Sequence, residues 1–184
     1  MKDTTTPDNI QLEKVQIGKE DYYRISNVGK MRPFFMSIVS DSNHWMFIGS
    51  NGGLSAGRKD AENSLFPYYT DDKIIESAEI TGCKSIFLVQ KSGKTHVWEP
   101  FSLRYASLFN TSRNLYKNIY GNKVLFEEIN HDLDLTFQYE WNSSNLYGFI
   151  KKSKLTNNSQ EEVSIKVLDG IQNLIPYGVG SALQ

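Results

Sequence analysis

The chain has 184 residues, a single cysteine and a formal net charge of −1. Hydrophobic residues make up 39% and charged residues 22%, a balance that suits one folded domain of ordinary size rather than a disordered chain. These values exclude an intrachain disulfide framework and a strongly basic nucleic-acid-binding surface, and no apolar run is long enough for a membrane-spanning helix.

Residues 1–20 are polar and read as a loose lead-in. They lack the apolar core of a secretory signal, so a cytoplasmic protein is expected. Strand candidates follow at residues 22–25, 31–39 and 44–48. Residues 50–72, SNGGLSAGRKDAENSLFPYYTDD, then read as a long connection, and residues 72–77 hold the one plausible helical turn. Residues 78–89 and 96–100 resume the β pattern. A meander comes next: a strand over 114–120, a Gly121-Asn122 turn, a strand over 123–129 and a reversal at Asn130-His131-Asp132. Its last strand sets Leu133, Leu135, Phe137, Tyr139 and Trp141 on one face and Asp134, Thr136, Gln138 and Glu140 on the other, the period of a half-buried antiparallel strand. Residues 146–155 and the alternation of Val163, Ile165 and Val167 complete the set. The predicted fold is an all-β antiparallel sandwich over residues 21–184. Lys151, Lys152 and Lys154 read as one solvated strand edge. The apolar residues 170–178 lie close to the last residue, so the chain is expected to be part of a larger multidomain enzyme.

Chemical motifs are tested against their own requirements. A phosphate-binding loop needs Gly-Lys-Ser/Thr where the chain has Gly57-Arg58-Lys59, and the glycines of this stretch miss the dinucleotide spacing. His44, His96 and His131 are each isolated and there is no second cysteine, so neither a metal site nor a cofactor is expected. No Gly-x-Ser-x-Gly elbow occurs. Glu127 and Glu128 point to opposite faces of their strand, which predicts that one is partly buried. Residues 50–72 combine the residue types that grip sugars by stacking and bidentate hydrogen bonds. Asn51, Arg58, Tyr68, Tyr69, Asp71 and Asp72 are the candidate substrate-binding groups. An equally weighted reading has the tyrosines packing a sheet edge and the aspartates capping a helical turn.

The order of these features, from MRPFFMSIVSDSNHWMFIGSNGGLSAGR through LFPYYTDDKI and KTHVWEPF to NLYKNIYGNKVLFEEINHDLDLTFQYEW, resembles the N-terminal domain of the inverting glycoside phosphorylases. These are the cellobiose and chitobiose phosphorylases and the related cyclic β-glucan synthases. Arg32-Pro33, Asn51-Gly52-Gly53, Trp98-Glu99-Pro100 and Leu155-Thr156-Asn157 carry the likeness. Residues 54–57 depart from it, standing where the family has aromatics. The resemblance implies a galactose-mutarotase-like β-supersandwich followed by a helical catalytic domain. It also implies an oligosaccharide substrate handled by the parent enzyme, inorganic phosphate as co-substrate, and a homodimer. The catalytic acid of such an enzyme belongs to the helical domain, so no catalytic residue is expected in this chain. Two other readings stay open. One is a free-standing carbohydrate-binding sandwich using Trp45, Trp98 and Trp141 as a stacking platform, although Trp141 continues an apolar face. The other is a mutarotase-like epimerase.

Overall fold

The computed structural model describes residues 9–67, 70–176 and 178–179. Among them the chain forms twelve strands, one short α-helix and two three-residue 3-10 turns at Val28–Lys30 and Ala61–Asn63: β1 (Gln11–Ile17), β2 (Glu20–Ser26), β3 (Phe35–Ile38), β4 (His44–Gly49), β5 (Leu54–Arg58), α1 (Asp71–Glu76), β6 (Gly82–Lys91), β7 (Lys94–Trp98), β8 (Thr111–Asn118), β9 (Val124–Asn130), β10 (Leu135–Ser144), β11 (Gly148–Asn157) and β12 (Ser164–Gln172). The six-stranded sheet β1-β2-β8-β9-β10-β11 forms one layer, and two three-stranded sheets, β3-β4-β5 and β12-β6-β7, form the other. The paired strands are antiparallel. The molecule is an all-β sandwich, as its alternating pattern predicts.

One apolar core joins the three sheets. Met36, Met46, Ile48 and Leu54 come from the first small sheet, Phe87, Val89 and Trp98 from the second, and Leu115, Phe126, Phe137 and Trp141 from the large one. The predicted face of β10 is buried at every step from Leu135 to Trp141, and Leu133 is buried in the preceding turn. Both faces of β9 are buried. Val124, Phe126 and Glu128 face the core. Leu125 and Glu127 lie on the opposite face, where Tyr22, Tyr116 and Leu125 form a second small apolar cluster. Both glutamates are therefore buried, where the sequence predicts one.

Several boundaries differ from expectation. The lead-in contains β1, in register with β2 from Gln11–Ser26 to Ile17–Glu20. Its apolar residues do not alternate, because the strand buries almost nothing and is held by backbone pairing. The connection 50–72 contains β5, a strand of small residues that pairs with β4 from His44–Arg58 to Ile48–Leu54. The strand expected over 31–39 shrinks to β3. The one expected from residue 78 begins at Gly82, since residues 77–81 continue turning after α1 through Ile80 and Thr81 amide bonds to the Ser77 carbonyl. β8 ends at Asn118, whose side-chain oxygen accepts the amides of Asn122 and Lys123 and so widens the Gly121-Asn122 turn.

Candidate functional site

The layer opposite the large sheet is interrupted. Between β3-β4-β5 and the end of β12 it leaves a groove of about 900 Å³. Trp141 of β10 and Phe149 and Lys151 of β11 come from the large sheet beneath it. Met46, Ala56 and Phe66 line one side, and Ile171, Leu174 and Ile175 the other. The wall is mainly apolar because these residues belong to the margin of the core, where the two small sheets do not meet.

Polar groups are held around this apolar centre. His44 and Arg58 are cross-strand partners on β4 and β5. The Nδ1 of His44 lies 2.6 Å from the Ser42 hydroxyl, and its ring meets Phe149 edge-on at 5.1 Å. This contact joins β4 to the hairpin of β10 and β11. Arg58 is exposed at the end of β5, and its guanidinium donates to the Asn43 side chain at 3.5 Å. Across from it, the β10–β11 turn contributes Asn145 and Tyr147, the tyrosine 76% exposed. The Lys151 ammonium is nearly buried. It donates to Asp169 Oδ1 at 2.6 Å, and the Ser85 hydroxyl donates to the same oxygen at 2.6 Å. Burial opposes the Asp169 charge, but the hydrogen bonds from Lys151, Ser85 and Ser153 outweigh it and hold the carboxyl below its ordinary value. Beside this pair, burial pushes the half-buried Cys83 thiol up to about 12, against the lowering effects of Lys151 and the Trp141 indole. A thiol in that state is a packed group rather than a nucleophile.

Among the described candidate sugar-binding residues, the structure separates Arg58 from Asn51 and Asp72. Arg58 lines the groove. Asn51 lies at the other end of β5, in the hairpin turn, where its amide donates to the Ile75 carbonyl at 2.9 Å and its oxygen accepts the Gly53 amide at 3.4 Å. That role is structural: it ties the Gly-rich turn to α1. Asp72 is exposed in the first turn of α1. Its carboxyl is held below the ordinary range, chiefly by the Thr70 hydroxyl and then by the Lys73 amide. The helix N-cap is Thr70, with no side-chain capping hydrogen bond, and Asp72 lies within the first turn. Asp71 begins α1, and Tyr68 and Tyr69 lie outside the described residues. Trp98 and Trp141 are buried, at 1% and 3% exposure, so neither presents a ring face to solvent as a stacking platform requires.

Sequence reasoning weighed His44 only as a metal ligand and passed over Asn145 and Tyr147. The available signal was Tyr147 itself, a large aromatic inside a turn rather than on a strand face. Among the described residues no three or more His, Cys, Asp or Glu side chains converge as metal ligands do, and no helix is long and apolar enough to cross a membrane. Comparison with protein-family models and with curated protein sequences returns no match.

Proposed function

We propose that this chain is a non-catalytic β-sandwich domain of a carbohydrate-active enzyme of the glycoside phosphorylase type, and that its groove holds part of a β-glucoside oligosaccharide. The observation that carries the reading is the composition of the groove: an apolar wall, the exposed Tyr147 ring, and the polar groups of Arg58, His44 and Asn145 around it. Sugars present apolar C–H faces and a periphery of hydroxyls, so a binding site for them pairs ring surface with hydrogen-bonding side chains. A catalytic acid and inorganic phosphate belong, in this proposal, to a downstream helical domain. The domain supplies binding and packing surface and leaves the chemistry to its neighbour.

Titration of the 184-residue chain with cello-oligosaccharides, followed by tryptophan fluorescence and calorimetry, tests the assignment. Trp141 lies at the groove and acts as reporter. Binding is expected, with Arg58→Ala and Tyr147→Ala each costing about 1 kcal/mol, a factor of about five in affinity. A flat titration of the unaltered chain rejects the reading, as does binding that neither substitution weakens.

A further inference from the structure

A second depression, of about 470 Å³, lies beyond the β10–β11 turn, with Ser40, Asp41, Tyr120, Asn122, Ser143 and Asn145 in its lining. Its size falls within the range of about 300–1,000 Å³ typical of small-ligand sites. Three features make it continuous with the groove. Asn145 lines both cavities. Trp141 of the groove and Ser143 of the depression are two residues apart on β10, so they share a face at a separation of about 7 Å. Ser40 belongs to the depression and His44 to the groove, and Ser42 joins them: its hydroxyl lies 3.0 Å from that of Ser40 and 2.6 Å from His44 Nδ1.

The frame of the depression is held by the backbone. The Val39 amide bonds to the Gly121 carbonyl at 2.9 Å, which fixes the loop before β4 against the turn between β8 and β9. The Ser144 hydroxyl accepts the Leu146 and Tyr147 amides at 3.2 and 3.4 Å, which shapes the turn that the two cavities share. Into this frame the β8–β9 turn sets Tyr120, 70% exposed. Asn118 donates to the Asn122 side-chain oxygen at 2.6 Å and so orients its amide, and Asn145 donates to Asp41 Oδ2 at 3.4 Å. Asp41 is the one charged residue among the described lining. With no cation beside it there, the depression disfavours an anion such as phosphate and suits neutral hydroxyl groups.

We propose that this depression is a second sugar subsite. The Tyr120 ring stacks on one sugar unit, and Asp41, Asn122 and Asn145 bond its hydroxyls. The chain thereby binds a linear, neutral oligosaccharide that runs along β10 through both cavities, with Tyr147 as the ring of the groove and Tyr120 as the ring of the depression. An exposed aromatic ring surrounded by hydroxyl, amide and carboxylate groups matches the apolar face and polar rim of a sugar. Two such contacts on one ligand reinforce each other, because the second forms at the high local concentration set by the first. The proposal rests on the reading of the groove as a sugar site and adds to it the length and charge of the ligand.

Calorimetric titration of the 184-residue chain with cellobiose and with cellohexaose reads the second subsite as the ratio of the two affinities. The unaltered chain is expected to bind cellohexaose the more tightly. Tyr120 is exposed, so Tyr120→Ala keeps the fold, as an unchanged thermal midpoint verifies, and lowers the ratio about fivefold. Tyr120→Phe retains the ring and keeps the ratio. Arg58→Ala, in the groove, weakens the binding of both sugars and so reports on the groove by itself. A ratio unmoved by Tyr120→Ala, or lowered as far by Tyr120→Phe, overturns the second subsite, while the groove reading stands on the Arg58→Ala result. Inorganic phosphate that competes with cellohexaose but not with cellobiose also overturns it, because the depression would then hold an anion. Absence of binding by either sugar overturns both readings.

Discussion

Glu128 shows how one side chain organises the centre of the sandwich. Its carboxylate is 1% exposed and accepts the Trp98 indole at 2.9 Å, the Phe101 amide at 2.7 Å and the Arg113 Nε at 2.7 Å. Phe101 sits at a φ of 64°, a left-handed conformation that a bulky side chain rarely adopts. The bond to Glu128 and edge-on contacts with Phe126 and Tyr139 hold it there. Removing the carboxylate leaves the Arg113 cation, itself largely buried, without its partner. Glu128→Ala is therefore expected to lower stability by about 3–5 kcal/mol, the cost of breaking a buried pair. Glu128→Gln keeps the shape and part of the hydrogen bonding and loses less. Urea unfolding monitored by tryptophan fluorescence distinguishes them, and equal small losses would show that the pair is not a keystone of the fold. The sequence revealed through strand period that Glu127 and Glu128 face opposite ways. It could not show both to be buried, because Glu127 is covered by its cross-strand neighbours. Asn114, Tyr116 and Gln138 all donate to it, and they come from β8 and β10.

At the scale of elements, the Gly-rich turn works as a packing device. A Cβ at Gly53 would overlap the Ile74 carbonyl, and one at Gly57 would lie 2.5 Å from the Trp45 ring and 2.6 Å from the Asn63 carbonyl. The small residues of β5 are thus required by what presses on that strand, with α1 against its start and Trp45 and residue 63 against its end. For the same reason β5 was illegible as a strand: Leu-Ser-Ala-Gly-Arg lacks the β-branched and aromatic residues by which strands are recognised. Gly53→Ala is expected to displace α1 and cost about 1–3 kcal/mol or more, seen as a lower thermal midpoint. An unchanged midpoint would mean that α1 yields without penalty. Between β11 and β12, Lys151 and Asp169 tie the two layers together. Because the Asp169 pKa is lowered in the folded chain, its contribution is fully present above the unfolded carboxylate value of about 4 and is lost as pH falls through the lower folded value. The stability difference between the native chain and Asp169→Asn should be largest near neutral pH and shrink on acidification below about 4. Denaturant midpoints at pH 7 and pH 3 check this. A difference that grows toward acid contradicts it.

For the molecule as a whole, what could be read from the sequence and what could not divide along contact distance. β8, β9, β10 and β11 follow one another in both sequence and sheet, so turn chemistry and period-2 alternation suffice to predict them. The groove is different. Its lining comes from β4, β5, residues 62–66, β10, β11, the end of β12 and the segment after it, and no local pattern records which of these converge. Among the described predicted sugar-binding residues, Arg58 reaches it and Asn51 and Asp72 do not. The same division bears on folding. β2 pairs with β8 across the whole of β3 to β7, and the small sheet that contains β6 is completed by β12, with Ser164 opposite Gln90. These long closures reduce chain entropy before they return contact energy, which slows folding relative to locally connected folds. The meander is the part that can form without them. Refolding followed by stopped-flow fluorescence is expected in milliseconds to seconds rather than microseconds. Phe126→Ala, inside the meander, should mainly slow folding, whereas Phe87→Leu in β6 should mainly speed unfolding. The opposite pattern would place the nucleus in the split layer and make the meander a late element.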